Sequence, residues 1–328
     1  RMEACRKTYG IIREAIKDAH LSACNVPILG MIGVADSVYL ANDVGNLTDS
    51  ESRDERPLRR RWSYFAERSR QAFSRYFLHN RCWLGNPDCF VAENDADDRQ
   101  ARCRMQVVML AGGQVKCSNQ LPTWRKDRLD MFLKGLPPYG EAGRPVDLFE
   151  NEYPQIVDLF VHGYGCSWHV VGVFNWSSLP QAVALSFDKL IPPATGSQAV
   201  FEFWEQEYLG CHPKGLSVQV QGQSCRLLCL RDQPDHPEIL STDLHFTQGA
   251  VEIIERHWDT RSLSLSGTAR RAPGHRGTLT IFIPEGYSCE GSERPGPESL
   301  QPRGSSIVRL PLLFENTELH WAVSFKRQ

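Results

Sequence analysis

The sequence lacks the features by which membrane-spanning and nucleic-acid-binding proteins are recognised. None of its apolar runs approaches the roughly 20 residues that a membrane-spanning helix needs. The formal net charge is only -2, from 37 basic and 39 acidic residues, so no overall field attracts nucleic acid. The arginine-rich run at 56–61 is short and lies in a helical pattern, which favours a solvated helix start. We therefore expect neither a membrane nor a nucleic acid as partner.

A secretory signal peptide is also missing from the start of the sequence. Residues 1–20 carry charges throughout, whereas a signal peptide has an uninterrupted apolar centre. Apolar side chains recur there at steps of three and four, which predicts one helix face: Met2, Cys5, Tyr9, Ile12, Ile16 and Ala19. Because the sequence opens inside this helix without a cap, we expect a fragment of a longer protein. Its compartment stays unknown.

The sequence shows neither a zinc motif nor a disulfide framework. Its 11 cysteines are odd in number and contain no C-x-x-C pair, and its ten histidines form no cluster. Cys225 and Cys229 lie four apart in an apolar strand pattern, and buried free thiols are the best interpretation of such cysteines. We expect no metal ion and no cofactor.

The first part of the sequence alternates between helical and strand patterns, which predicts βα units around a parallel sheet. Asp97 or Asp98 should cap a helix over 98–110. The glycine pair at 112–113 should end that helix before one more short strand at 114–118.

The pattern changes near residue 136. Residues 136–156 are rich in proline and glycine without a clear period, so they predict a connection between domains. From 157 to 328 the sequence is a series of short strands separated by turn residues, which predicts an antiparallel β-sandwich. The expected fold class is therefore a multidomain chain with an α/β part over 1–135 and an all-β part over 157–328.

One strand carries the first hint of chemistry. Residues 37–43 read as a short apolar strand that ends in a polar turn with Asp43. A (β/α) barrel places its catalytic groups at the carboxyl ends of its strands, which makes Asp43 a candidate acid/base. Asn-Asp-x-Gly is also common turn chemistry, so an ordinary turn aspartate is the alternative.

Further short motifs occur in an order that resembles a known family. They are Cys24-Asn25-Val26-Pro27, Tyr39-Leu40-Ala41-Asn42-Asp43, Trp83-Leu84-Gly85-Asn86-Pro87-Asp88, Leu136-Pro137-Pro138, Arg144-Pro145-Val146-Asp147-Leu148-Phe149 and Val173-Phe174-Asn175-Trp176. Together they resemble the carboxyl-terminal portion of a glycoside hydrolase family 36 enzyme, the α-galactosidase group of clan D. Each motif is weak alone, but their order extends over much of the chain.

The resemblance implies a partial (β/α)8 TIM barrel, about strands 5–8, followed by the carboxyl-terminal sandwich. It implies retaining hydrolysis of terminal α-linked galactosides by two aspartates, with Asp43 as general acid/base and the nucleophile upstream of Arg1. The implied substrate-binding residues are Cys24, Asn25, Tyr39, Trp83 and Asp88. The family often has an arginine four residues before the acid/base, and the sequence departs from that pattern with Tyr39.

Several alternatives stay open. Cys24 is otherwise a buried thiol, Asp88 a turn carboxylate and Trp83 a core side chain. The tryptophans of the all-β part are better interpreted as core than as a sugar-binding surface. The chain alone is expected to be inactive. The competing functions are a truncated or degenerate carbohydrate-binding relative and a galactosyl transferase, and assembly into a homo-oligomer also stays open.

Overall fold

The computed structural model describes residues 2–43, 58–88, 90, 97–118, 120–292 and 306–328. The chain divides into two compact units. The first comprises Arg1–Leu159, Gly172–Val183 and Val218–Cys225, and the second comprises Phe160–Val171, Ala184–Ser217 and Arg226–Gln328. The boundaries that the sequence predicts at 135/136 and 156/157 stay predictions.

Among the residues that the structure describes, the first unit contains four α-helices, and the best-defined cap is at the third. The helices are α1 (Met2–Ile16), α2 (Leu58–Ser74), α3 (Asp98–Leu110) and α4 (Lys126–Leu133). The Asp97 side chain accepts a hydrogen bond of 2.8 Å from the backbone N–H of Arg99, which satisfies a free donor in the first turn of α3. The predicted helix over 98–110 and its cap are confirmed. Among the described residues, no helix is both long and apolar enough to cross a membrane.

Three short parallel strands follow in chain order within the first unit. They are β1 (Ser22–Ala23), β2 (Ser37–Tyr39) and β3 (Leu84–Asn86), arranged β1-β2-β3. A fourth segment continues beside β3, because Gln114 donates its N–H to Gly85 O at 3.1 Å and Phe90 pairs in parallel with Cys117. The parallel βα arrangement predicted from the sequence is present in these residues.

The glycine pair after α3 makes this fourth segment possible. A Cβ at Gly113 would overlap the backbone carbonyl of Gly85, so only a residue without a side chain fits there. Gly112 has φ +78°, and a Cβ there would overlap the backbone of Glu141. The pair therefore ends the helix as predicted, and it also allows the close approach to β3.

The face of α1 that contacts the core is narrower than predicted. The first apolar cluster comprises Leu21, Ala23, Met31, Ala35, Val38, Leu78 and Trp83. Cys5, Tyr9 and Ile16 of α1 pack against this cluster, whereas Met2 is 51% exposed and Ile12 is 37% exposed. The period of 3.6 residues identified the helix, but it did not show how much of the face its neighbours cover.

The remaining strands are mostly longer. They are β4 (Arg144–Pro145), β5 (Ile156–Gly163), β6 (Cys166–Asn175), β7 (Gln181–Ser186), β8 (Gln198–Glu202), β9 (Glu207–His212), β10 (Gly215–Val220), β11 (Ser224–Asp232), β12 (Glu238–Thr242), β13 (Ile253–Asp259), β14 (Ser264–Arg270), β15 (Arg276–Phe282), β16 (Tyr287–Ser292), β17 (Ile307–Leu313) and β18 (Glu318–Arg327). They form sheets in the orders β4-β5-β6-β11-β8-β9, β12-β15-β17, β13-β14-β18-β16 and the pair β10-β7. The series of short strands predicted from residue 157 onward is present.

One apolar cluster of the second unit takes side chains from two antiparallel sheets. In β18 buried and exposed residues alternate, as expected of a strand with one face toward a core. Leu279 and Leu310 from one sheet and Leu265 and Trp321 from the other belong to this cluster. Trp321 and Trp168 are both nearly fully buried, which supports the core interpretation of these tryptophans.

Candidate functional site

The candidate site lies at the carboxyl ends of the three parallel strands. Cys24 and Asn25 directly follow β1, Asp43 follows β2 by four residues and Asp88 follows β3 by two. Because parallel strands end at the same edge of a sheet, these residues belong to one edge. Tyr39, the last residue of β2, belongs to it as well. Five of the six sequence-predicted site residues thus lie at one edge of the sheet.

In the segment that leads to Asp43, both the N–H and the carbonyl of Leu40 form hydrogen bonds. Leu40 donates its N–H to Asn86 O at 2.8 Å, which extends the pairing of β2 with β3 by one residue. The Leu40 carbonyl accepts a hydrogen bond from Nη1 of Arg75, the residue after α2. Burial lowers the pKa of the Arg75 guanidinium. The Asp43 side chain itself is exposed.

Asn86, the residue before Pro87, holds Asp88 in an uncommon backbone conformation. Asp88 has φ +78° and is only 9% exposed. Its N–H donates to Oδ1 of Asn86 at 3.0 Å, an Asx turn around Pro87. Asn86 is fully buried. The turn that the sequence allowed as an alternative for Asp88 is present, and its carboxylate is largely buried.

The ammonium group of Lys116 lies near the ring of Tyr39, the residue at which the sequence departs from the family pattern. Nζ of Lys116 is 5.0 Å from the centroid of the Tyr39 ring, within cation–π range. Lys116 also accepts the N–H of Phe90 at its carbonyl, at 2.7 Å. Positive charge therefore reaches the end of β2 from the segment that lies beside β3.

The two residues after β1 are both accessible. Cys24 is exposed, so the buried-thiol interpretation of this residue is wrong. Asn25 is also exposed and has φ +53°, a left-handed conformation that asparagine tolerates better than most residues. The sharp turn directly after β1 explains the exposure of both side chains. Their roles in sugar binding stay predictions.

Trp83 is the sequence-predicted site residue that the structure does not place at this edge. It directly precedes β3, and its side chain is 5% exposed in the first apolar cluster. β3 begins only at Leu84, so Trp83 lies at the opposite end of that strand from Asp88. Its burial favours the core interpretation.

Asp36 directly precedes β2, at the opposite end of the strand from the candidate site, and its carboxylate makes structural contacts. It forms an ion pair with Arg13 and accepts the N–H of Leu21 at 2.7 Å. The Leu21 hydrogen bond, followed by the Arg13 hydrogen bond, lowers the pKa of Asp36. These contacts connect α1 to the sheet and point to a structural role.

Asn86, Arg75 and His79 are residues that sequence reasoning missed. His79 accepts the Gly85 N–H at Nδ1 at 3.0 Å, and its Nε2 lies 2.9 Å from Gly140 O, which requires the Nε2–H tautomer. The Asn-Pro-Asp order could have signalled the Asx turn of Asn86. The contacts of Arg75 and His79 join residues far apart in sequence, so no local pattern signals them.

In the described ranges, no three or more histidine, cysteine, aspartate or glutamate side chains are grouped so that they could hold a metal ion.

No protein-family model matches the chain. Solved structures of several glycosidases are nevertheless similar to it. α-Galactosidase I from Mortierella vinacea matches with a TM-score of 0.51 at 12% identity, over 71% of this chain and 63% of the enzyme. The α-galactosidase of Saccharomyces cerevisiae matches with a TM-score of 0.54 at 12% identity, over 71% of this chain and 69% of the enzyme.

The GH27 β-L-arabinopyranosidase from Geobacillus stearothermophilus matches with a TM-score of 0.55 at 14% identity, over 70% of this chain. The chain has an α-galactosidase-like fold. At these identities the likeness shows the fold alone. The match spans 54% of the Geobacillus enzyme, so this chain corresponds to about half to two thirds of the neighbours' lengths.

Proposed function

We propose that the chain is the carboxyl-terminal portion of a retaining α-glycosidase of the family 36 type, with Asp43 as general acid/base. The observation that carries the proposal is the placement of Asp43 and Asp88 after adjacent parallel strands in an α-galactosidase-like fold. In this proposal residues 1–135 supply about strands 5–8 of a (β/α)8 barrel, and the residues from 157 onward supply the sandwich.

The chemistry needs a second carboxylate. A retaining glycosidase uses two carboxyl groups about 5 Å apart, one as nucleophile and one that protonates the leaving oxygen. Asp43 is exposed among the described residues. A nearby negative nucleophile, which we place upstream of this chain, would favour the protonated form by charge repulsion. Asp43 then acts as acid first and as base second.

The proposed substrate is a terminal α-galactoside. One Saccharomyces cerevisiae α-galactosidase among the structural neighbours was solved with raffinose. Asp88 suits the recognition of sugar hydroxyls, because its backbone is fixed by Asn86 and its carboxylate can accept two hydrogen bonds. Cys24, Asn25 and Tyr39 would line the sugar at the same edge, whereas a role for Trp83 requires its side chain to leave the core.

The first experiment tests residues 1–328 alone on an aryl α-galactoside. We expect no turnover, because the proposal places the nucleophile outside these residues. Cleavage by this chain that disappears in Asp43→Asn would show that both catalytic groups are present and would overturn the upstream placement. An exposed aspartate outside the edge, Asp235, serves as the matched control through Asp235→Asn.

The second experiment identifies the acid/base in the longer polypeptide by azide rescue. In Asp43→Gly, hydrolysis of substrates whose leaving group needs a proton should fall by about 10²–10⁴-fold. Substrates with a good leaving group should still form the glycosyl-enzyme, and added azide should release it as α-galactosyl azide. Formation of the β-azide would instead assign Asp43 as nucleophile, and no rescue at all would remove Asp43 from the chemistry.

A non-catalytic carbohydrate-binding protein is the second candidate, favoured by the exposure of Asp43 and the substitution at Tyr39. Calorimetric titration of the longer polypeptide with galactose distinguishes it. Binding that is lost in Asp88→Asn, without turnover of any aryl glycoside, supports the binding protein. Transfer to an added sugar acceptor in place of water would instead identify a galactosyl transferase.

A further inference from the structure

The Lys116 side chain reaches across the end of β3 to the last residue of β2. The segment 114–117 and β2 lie on opposite sides of β3. Neighbouring strands are about 4.8 Å apart, yet Nζ of Lys116 lies 5.0 Å from the centroid of the Tyr39 ring. Tyr39 pairs with Asn86, the last residue of β3. The ammonium group therefore lies at the end of β3 that Asp88 follows, which is the candidate edge.

The backbone of Lys116 is fixed by its neighbours. Its carbonyl accepts the Phe90 N–H at 2.7 Å, and the next residue, Cys117, pairs with Phe90. Phe90 is fully buried, and its ring stacks on that of Phe132 at a centroid distance of 6.1 Å. Lys116 is thus attached to a packed part of the first unit, and the Tyr39 ring attracts the far end of its side chain.

The Lys116 ammonium has hydrogen-bond donors that the described part of the chain does not use. Among the described residues it forms no hydrogen bond and no ion pair, and it approaches Tyr39 only through the ring. An ammonium carries three N–H donors and no acceptor. Lys116 and Tyr39 are both half-buried, so water reaches this group less freely than on an open surface. A partly desolvated donor gains free energy when it binds an acceptor.

A sugar hydroxyl matches the groups at this edge. Ionised Asp88 can only accept hydrogen bonds, whereas each hydroxyl has one hydrogen to donate and an oxygen that accepts. A carboxylate therefore satisfies the hydrogen of a hydroxyl and leaves its oxygen without a donor. Lys116 supplies a charged donor at the same edge, and such hydrogen bonds are stronger than those between neutral groups. The face of the Tyr39 ring that Lys116 covers is not available for stacking on the sugar.

We propose that Lys116 is a specificity-determining residue of the candidate site, which donates a hydrogen bond to one hydroxyl oxygen of the terminal galactose. Tyr39 is its positioning residue. This inference rests on the proposed function, because it takes the α-galactoside as the ligand. A galactoside that lacks the recognised hydroxyl should gain nothing from Lys116, and a residue with a purely structural role would not make that distinction.

The test measures kcat/KM of the longer polypeptide on an aryl α-galactoside and on its deoxy analogues, each of which lacks one hydroxyl of the galactose. Lys116→Met removes the donors and keeps a side chain of similar length. We expect it to lower kcat/KM for the parent substrate about 10–100-fold, the range of a charged hydrogen bond. One analogue should already show this loss with the wild type, so Lys116→Met should change its kcat/KM by less than about 2-fold.

Variants of Tyr39 test the positioning role. Tyr39→Leu removes the ring, so it should lower kcat/KM for the parent substrate several-fold and spare the same analogue that Lys116→Met spares. Tyr39→Phe keeps a ring over which an ammonium can lie and should retain most of the activity. An equal loss on every substrate in Tyr39→Leu would show that Tyr39 does not act through Lys116.

The matched control is Lys214→Met, at an exposed lysine of the second unit, and its kinetics should equal those of the wild type. Lys116→Gln, whose side chain is too short to cross β3, gives the same comparison if methionine prevents folding. Unchanged kcat/KM in the Lys116 variants, or an equal loss on every analogue, would overturn the assignment and leave the proposed function intact. A wild-type polypeptide that neither cleaves α-galactosides nor binds galactose would overturn both.

Discussion

The parallel strands β1, β2 and β3 span two or three residues each, whereas β18 in the second unit spans ten. The short strands have few ladder hydrogen bonds, and side-chain contacts such as those of Asn86, Arg75 and His79 fix their ends. The long antiparallel strands are stabilised by paired backbones and a shared apolar cluster. The comparison teaches that the candidate chemistry lies where individual polar contacts, rather than a large core, define the geometry.

The second unit also buries polar groups, but it uses them differently. Nε and Nη2 of Arg231 donate to the carbonyls of Leu240 and Gln248, both at 2.8 Å, and its guanidinium lies 3.7 Å from the Trp168 ring centroid. These contacts connect β11 to β12 and to the buried loop that follows β12. They bind buried backbone carbonyls in the second unit, whereas the polar contacts of the first unit described above are made near the ends of its parallel strands.

The largest expected effect is on the core of the second unit. Trp321→Ala should lower the free energy of unfolding by about 3–5 kcal/mol, because it leaves a large cavity among apolar side chains. Urea denaturation followed by circular dichroism measures it. Leu313→Ala is the control at a side chain 40% exposed, and we expect a much smaller loss. Equal losses in the two variants would contradict the assignment of Trp321 to the core.

A pH dependence should come from Glu202 in the second unit. Burial raises the pKa of this carboxyl to about 7, while the Glu205 and Leu227 N–H groups that donate to it oppose the shift. The folded state thus binds more protons than the unfolded state between about pH 4.5 and 7. Stability should therefore fall as pH rises through this window, by up to about 1.4 kcal/mol per pH unit.

Urea midpoints across this pH range test the assignment. Glu202→Gln should remove that part of the slope, because glutamine does not titrate. Glu255→Gln, at an exposed position on β13, should leave the slope as it is. A wild-type slope that survives in Glu202→Gln would assign the titration to another group.

A smaller effect is expected at the strand edge of the first unit. Asn86→Ala removes the acceptor for the Asp88 N–H and should cost about 1–3 kcal/mol of stability. Asn86→Asp keeps an Oδ acceptor and should recover part of the loss. Thermal unfolding measures both variants. If alanine and aspartate behave alike, the Asx turn does not hold Asp88 in place and the comparison between the two regions fails.

The smallest effect is expected for a surface ion pair. Nη2 of Arg270 lies 2.6 Å from Oε1 of Glu318, but both side chains are about half exposed. Glu318→Gln should change stability by less than about 1 kcal/mol, because solvent screens exposed pairs. Urea midpoints in low and high salt measure it. A salt-independent loss larger than that for Asn86→Ala would reverse the predicted order.

Local patterns predicted the elements better than their contacts. The Asp97 cap, the glycine pair and the series of antiparallel strands were readable because each depends on a few adjacent residues. The edge at which the candidate residues lie was predicted in outline, since strands that end in polar residues indicate such an edge. That this edge carries chemistry stays a prediction. The placement of Trp83 could not be predicted from the sequence, because β3 begins at the very next residue, Leu84, and a sequence pattern does not fix a strand boundary to one residue.

The rest depends on contacts between distant residues. Arg75 meets the Leu40 carbonyl across 35 positions, and His79 meets Gly140 across 61. Polar side chains of this kind occur on most helix ends and turns, so only the folded chain reveals which backbone group each one binds. The partial exposure of α1 is a similar case, since its periodicity says nothing about its neighbours.

The close approach of Gly113 to the Gly85 carbonyl has a consequence for how this sequence can vary. A side chain at 113 would push the 114–117 segment away from β3 and carry Lys116 off the Tyr39 ring. Saturation mutagenesis at position 113 should therefore tolerate almost no replacement. Among very distant relatives, a glycine at this place would be a better marker of a shared strand arrangement than an aspartate in a turn.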